Sequence, residues 1–335
     1  MKYLLILIGV VPSLAVARDV APQGQGCLVS DHRLAQLPVS RTLRQFQDLP
    51  NSITVDVHFH ISSTKEHEDL ITDDIVSAQW KVLYRFFAKY DINLVLNSTD
   101  RVVDDMIGKS FLIYEGPDKG WVKYTDEENN FYKRTRRGGY DALNLYFFSD
   151  YSPGATGYCS WPTVIAEDDD LQFTRDSCQV SGLTMPGITP EQGAFEEWNL
   201  GHLAVHEAGH WFGLNHTFSG GCSEPGDFVD DTPAQLTQIY GCPIGSDSCP
   251  DKPGLDPIHN FMGYTKDNWL APTPIYYRQN PAVTQLTKAI ALMRLLPVRN
   301  AACLRHFLAL GGRSSKQAEQ IIKKSHAKKV SSRTK

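Results

Sequence analysis

HEAGHWFGLNHTF, running from His206 to Phe218, spaces three histidines four and six positions apart, with a glutamate directly after the first and a glycine midway between the second and third. On an α-helix of 3.6 residues per turn, His206 and His210 project from one face one turn apart, within reach of a single metal ion. Gly213 lets the chain leave the helix with positive φ, so that His216 approaches from a third direction. Three neutral imidazoles would leave one coordination position open, which is what separates a catalytic zinc from a closed structural one. Glu207 lies beside the helical ligands, placed to take a proton from bound water and deliver it to a leaving amine. A structural zinc would need a fourth protein ligand; Cys222 is the nearest candidate, and a disulfide accounts for it better.

The surrounding chain has 335 residues, 41% hydrophobic and 21% charged, a composition that fits one or two globular domains with a core. Its formal net charge of -5 gives no general pull toward nucleic acid or anionic membranes. At the start, MKYLLILIGVVPSLAVARDV places Lys2 ahead of an apolar run from Tyr3 to Val11 and a small-residue site at Ala15 to Ala17. That pattern predicts a secretory signal peptide over residues 1–17. The run is too short to span about 30 Å of hydrocarbon, and no later segment is long and apolar enough to do so. A secreted, extracellular product is expected, so disulfides are open to Cys27, Cys159, Cys178, Cys222, Cys242, Cys249 and Cys303. Seven is odd, so at least one thiol is free, shared with another chain or removed with a cleaved segment. Connectivity stays open at this point.

Residues 18–50 are polar and weakly patterned, an N-terminal arm or short pro-segment. ITVDVHFH then alternates, with Ile53, Val55, Val57 and Phe59 on one face, and reads as a strand. His58 and His60 share its other face and read as surface or packing residues rather than ligands. Thr72 caps a helix that carries Ile75, Ala78, Gln79, Val82, Leu83 and Phe86 toward Tyr90. INLVL and Ala142 to Phe148 (ALNLYFF) are further strands. Strand, helix, strand, strand and then the His206 helix predict an α/β (α+β) architecture with a twisted mixed sheet. From Thr217 to about Asn280 the chain is rich in Gly, Pro, Asp and Cys, so it should be irregular and stapled. A last helix is expected over Ala282 to Leu296, with Val283, Leu286, Ile290 and Met293 on one face, and residues 311–335 form a basic, disordered, solvated tail. Two sequons occur: Asn97 is expected to carry a glycan, and Asn215 to stay unmodified because a glycan there would obstruct His216.

HEAGHWFGLNH matches the extended signature H-E-x-x-H-x-x-G-x-x-H of the metzincin metalloproteases, and HNFMGY resembles their Met-turn, with Met262 and Tyr264. Thr217, Phe218, GDFVDDTPAQ and PGLDPIHNFMGY together resemble the pappalysin family, in its secreted ulilysin-like and fungal branch. The resemblance runs from about Ile53 to Met293 and is strongest from Gly201 to Tyr264. It implies a two-lobed metzincin catalytic domain within residues 51–310, its cleft between an upper sheet-bearing lobe and a lower irregular one. It further implies a zinc endopeptidase acting on proteins or peptides; a monomer is expected, though the sequence does not reveal the oligomeric state. Carried over by position, His206, His210 and His216 would bind zinc, Glu207 would be the general base, Met262 the apolar floor beneath the metal, and Tyr264 a stabiliser of the oxyanion.

The same resemblance implies a calcium ion at Asp227 and Thr232, and disulfides Cys222 to Cys249 and Cys159 to Cys178. Trp269 stands where Cys242 would find its partner. Gly263 replaces an aspartate that relatives often carry, and is expected to loosen the Met-turn. Cys27 could block the zinc as a pro-segment cysteine does in some relatives, or pair with Cys242 or Cys303. Acids lining the cleft would favour Arg or Lys in the substrate, as the ulilysin-like relatives suggest; the sequence leaves open which acids face it. The alternative is a metzincin scaffold kept as a secreted binding or effector module, against which the intact ligand set and retained Glu207 argue.

Overall fold

The computed structural model describes residues 52–270, apart from 152–155, 164, 166–169 and 230. The expected signal peptide (1–17), N-terminal arm (18–50), last helix (Ala282 to Leu296), basic tail (311–335), Cys27 and Cys303 lie outside the described residues. Strand β1 (Ile53–Ser63) is the alternating octet carried three residues further. Helix α1 (Asp73–Ala88) starts where Thr72 accepts a hydrogen bond from the Ile75 amide, and Asp73 and Asp74 in its first turn complement the helix dipole. Its inner face is Ile75, Val76, Gln79, Leu83 and Phe87, with Val82 and Phe86 partly buried beside them.

Strand β2 (Ile92–Val103) lies parallel to β1 and runs well past INLVL. Val57 pairs with Leu96 and His58 with Ser98, so Asn97 is an extra residue in β2 at a bulge, and its side chain is exposed. Strand β5 (Leu143–Phe148) follows on the other side of β1, then β7 (Cys178–Ser181), then the edge strand β6 (Gly157–Cys159). The order is β2-β1-β5-β7-β6, with β6 alone antiparallel to its neighbour. All six residues of β5 are buried because both faces of the sheet are covered, which is why it reads as a continuous run rather than an alternation.

On one face, Leu143, Leu145 and Phe147 join α1 and helix α5 (His202–Trp211) in the main core. On the other, Tyr146 and Phe148 meet Phe111, Phe131 and Tyr132. That second layer is built from a short hairpin, β3 (Leu112–Tyr114) with β4 (Trp121–Lys123), and helix α3 (Thr125–Thr135). Two single-turn helices, α2 (Asp105–Gly108) and α4 (Asp170–Thr174), complete the elements. His60 belongs to this second face: it is buried, stacked on Tyr146 with ring centroids 4.2 Å apart, and its Nε2 bonds Asn144 Oδ1 at 2.9 Å. It is a packing residue, as its strand position implied.

The fold positions α5 from both ends. Gln79 of α1 donates to the Gly201 carbonyl at 3.0 Å, just ahead of the helix. At the far end Trp211 Nε1 donates to Asp176 at 3.3 Å, and Asp176 is in turn ion-paired with buried Arg136 at 3.2 Å. Cys159 and Cys178 face each other across β6 and β7 and are disulfide-bonded, tying the edge strand to the sheet. Beyond α5 the described residues form only turns and one 3-10 turn at Asp267–Trp269, stapled by the Cys222–Cys249 disulfide, which is the irregular, stapled stretch the composition predicted. Among the described residues no helix is long and apolar enough to cross a membrane.

Candidate metal centre

Helix α5 is buried from Ala204 to Trp211, so its polar residues sit in a closed environment. Its start is tied down by Asp267, which accepts from the backbone N–H of Leu200 at 2.8 Å and from that of His202. Its end is fixed by Gly213, at φ +85°, where the Gly213 amide donates to His210 O at 2.8 Å and the Leu214 amide to Gly209 O at 3.0 Å. The chain turns back there, as the sequence reading required, and returns His216 to the helix.

The three Nε2 atoms form a nearly equilateral triangle: 3.1 Å from His206 to His210, 3.1 Å from His210 to His216 and 3.2 Å from His206 to His216. Tetrahedral zinc with bonds of about 2.0–2.1 Å wants ligand nitrogens roughly 3.3–3.4 Å apart. His206 Nδ1 donates to Phe261 O at 2.6 Å and His210 Nδ1 to Leu214 O at 2.7 Å, which assigns the ring proton to Nδ1 and leaves the Nε2 lone pairs converging. Bare acceptors at such distances repel one another, so the donor set fits a divalent cation. Burial keeps all three imidazoles neutral. It pushes His206 down to about 4 and, with His206 adjoining, His216 down to about 2; His210 is held well below the ordinary histidine value by burial and by both neighbours.

Aromatic rings fix the triad from outside. Phe218 stacks on His216 with centroids 4.8 Å apart, Tyr264 meets the same ring edge-on at 4.8 Å, and Trp161 lies over His210 at 5.3 Å. Glu207 is fully buried and lies under the edge strand. A Cβ placed on Gly157 would come within 2.3 Å of Glu207 Oε1, so a side chain there would force that carboxylate out of its place under β6. Gly209 does the same for Met262, whose Sδ lies 2.4 Å from where its Cβ would be. Trp161, Gly157 and Gly209 carry no signal in the sequence that marks them for these places.

The Met-turn is closed despite Gly263. Met262 N–H donates to Asn260 Oδ1 and Gly263 N–H to Asn260 O, both at 2.9 Å, while Thr217 N–H reaches Met262 O at 3.1 Å. None of these bonds uses a side chain at residue 263. The expected calcium pair fares differently. Asp227 is buried, accepts from the Val229 amide at 3.0 Å and from the Thr232 side chain, and burial pushes its carboxyl up to about 7. Calcium takes six to eight oxygens, and among the described residues no group of three His, Cys, Asp or Glu ligand atoms other than the histidine triad converges. A calcium site at Asp227 and Thr232 is therefore not supported. Among the described residues Cys242 forms no disulfide, in line with the missing partner position.

Cavity size does not locate the chemistry. A cavity of about 500 Å³ lies behind α5, against Val205, Gly209 and Met262, and touches neither the three histidines nor Glu207. A smaller pocket borders His206 and Tyr264 directly.

The family described as "Pregnancy-associated plasma protein-A" matches residues 195–275. An extracellular metalloprotease of Colletotrichum graminicola is 36% identical over 281 residues, covering 80% of this chain and 92% of that protein. Extracellular metalloprotease 1 of Coccidioides posadasii is 40% identical over 226 residues, 67% of this chain and 73% of that one. Among solved structures, mature mirolysin of Tannerella forsythia in complex with a cleaved peptide superposes with a TM-score of 0.53 at 18% identity, over 77% of this chain and 96% of that one, a likeness of fold. At 36% identity over 281 aligned residues that span 92% of the Colletotrichum protein, this chain belongs to the pregnancy-associated plasma protein-A (pappalysin) family and is a zinc metalloendopeptidase of the metzincin fold.

Proposed function

We propose that the protein is a secreted endopeptidase in which Glu207 activates the water that attacks the scissile peptide bond. The observation that carries this reading is the triangle of Nε2 atoms, its edges between 3.1 and 3.2 Å, with a buried carboxylate next in sequence to the first ligand. His206, His210 and His216 would hold the metal. Zinc bound there supplies Lewis acidity, which acidifies water and polarises a carbonyl. The Glu207 carboxylate accepts the proton of the attacking water and returns it to the leaving amine. Its position under Gly157 of β6 screens it from bulk solvent. Tyr264, packed against His216, stabilises the developing oxyanion, and Met262 closes the site from below as an apolar floor.

Relatives named extracellular support export; on this reading the signal peptide is residues 1–17 and the catalytic domain lies within residues 51–310. Asn97, exposed at its bulge, is the glycan acceptor; Asn215 is not, since its Nδ2 donates to Asp227 O at 3.1 Å. The mechanism is tested with Glu207→Gln. Zinc content by atomic absorption should be unchanged, while casein cleavage should fall by roughly 10²–10⁴-fold, the range for a lost general acid–base. Wild-type digestion by that variant would overturn the role given to Glu207. The binding-module reading instead requires that the zinc-loaded wild type cleave nothing.

A further inference from the structure

Of the three ligand histidines, His210 is the most enclosed: it is 0% exposed, against 4% for His206 and 7% for His216. Its Nδ1 hydrogen bond to Leu214 O pins one edge of the ring, and the rings of His206 and His216 meet it edge-on, with centroids 4.7 and 4.6 Å away. From outside the triad, Trp161 packs on it from the segment that follows β6, 5.3 Å between centroids and tilted by 34°. We infer that Trp161 is a positioning residue for the metal: its ring shuts His210 off from water and blocks the swing of the imidazole through which zinc would be released. The inference rests on the histidine triad holding zinc, as read above.

Trp161 is fixed over His210 from both directions along the chain. Just before it, the Ser160 amide donates to Ser177 O at 3.0 Å and the Ser160 hydroxyl to Arg175 O at 2.8 Å, next to the disulfide that joins Cys159 to Cys178. Two residues after it, Thr163 is held through both backbone groups by one phenol: its N–H donates to Tyr140 Oη at 2.8 Å, and Tyr140 O–H donates to Thr163 O at 3.0 Å. Pro162, with its fixed φ, spans the short gap. The ring cannot drift away from His210 without breaking these bonds. Its indole N–H is buried and has no hydrogen-bond partner among the described residues. A buried donor left so costs about 1–3 kcal/mol, and in a native fold such a group calls for an explanation. With its hydrogen-bonding capacity unused, what the side chain contributes here is the flat ring against the ligand. Zinc leaves a site of this kind when one ligand swings off and water takes its place. Side chains that orient a metal ligand from behind are worth roughly 10–100-fold in metal affinity, which sets the size of effect to look for.

The test is zinc release from the zinc-loaded full-length protein, followed with an excess of a chromogenic chelator. Trp161→Ala should release zinc roughly 10–100-fold faster than wild type. Trp161→Phe, which keeps a ring and drops the N–H, should release it close to the wild-type rate, and Trp161→Leu, which keeps apolar bulk without a flat ring, should lie between the two. Phe111→Leu, in the core on the other face of the sheet, controls for lost stability: it should lower the urea midpoint without changing zinc release. Wild-type release from Trp161→Ala and Trp161→Leu, equal acceleration in Trp161→Phe and Trp161→Ala, or faster release from Phe111→Leu in step with its lost stability each overturns the inference and leaves the zinc site standing. A wild type that binds no zinc overturns the triad reading as well.

Discussion

Glu207 has its place because residue 157 has no side chain. A Cβ on Gly157 would sit 2.3 Å from Oε1 and 2.8 Å from Cδ of that carboxylate, closer than atoms approach. The obstructed atoms are at the end of a flexible side chain, so Gly157→Ala should fold and bind zinc while displacing the base. A misplacement on the order of 1 Å costs about 10²-fold in rate. Casein turnover should drop by that amount with zinc content unchanged, and near-normal turnover would sink the idea. Gly209 carries a related constraint. Mid-helix glycine is normally worth about 0.5–1 kcal/mol less than alanine, yet here the vacancy is filled by Met262. At this scale the sequence was legible wherever the partners are local. His206, Glu207 and His210 share a helix, and Gly213 turns the next four residues; Gly157 and Trp161 are some fifty residues from their partners in α5, and no spacing rule reaches that far.

Helix α5 is held by elements the sequence displays poorly. Its C-terminal Trp211 hangs on Asp176, which pairs with Arg136 where both side chains are only 3% exposed. The Arg136 guanidinium also donates to the carbonyls of Gly138 and Gly139 and lies 4.0 Å from the Phe173 ring centroid, so it cannot swing out to water without losing all of these. Breaking a buried pair by removing one partner costs roughly 3–5 kcal/mol, because the other charge stays behind. Asp176→Ala should therefore lose about that much by urea unfolding, and a loss under about 1 kcal/mol would show that Arg136 finds water instead. The strand and helix signals legible in the sequence, β1, α1, the start of β2, β5 and α5, are those with clear period or continuous burial. Helix α3, with the sequence TDEENNFYKRT, buries only Glu128, Phe131 and Tyr132, too thin a stripe to read against its polar composition. β6 and β7 are three and four residues long, and their pairing is fixed by neighbours and the Cys159–Cys178 disulfide rather than by their own pattern.

Across the whole molecule, buried titratable groups oppose one another. His60 and His202 are held down to about 4, against an ordinary 6.5, by burial; their contribution to stability is full above 6.5 and is lost as pH falls toward 4. Asp227 and Asp267 are held up to about 7 by burial, so their contribution is full below about 3.8 and is lost as pH rises through 7. The windows overlap with opposite sign, and the pH dependence of the intact protein hides each group. Comparison with His60→Gln isolates one of them: the stability advantage of wild type over that variant should shrink by roughly 2–3 kcal/mol between pH 7 and pH 4, measured by urea titration. An advantage that stays constant or grows on acidification would rule out a neutral His60 in the fold. The sequence by itself determined the histidine triad, the carboxylate beside it, the turn after them and the alternation of strand and helix that carries them, because each is a local period set by backbone geometry. Only the tertiary structure decided that β6 passes over Glu207 on a glycine, that Asp176 and Asp267 anchor the two ends of α5, that Gly263 leaves the Met-turn closed, and that the pocket beside the metal is walled by Phe195, Trp198 and Leu270. Those contacts join segments distant in the chain, and burial and sterics choose among them only once the core has closed.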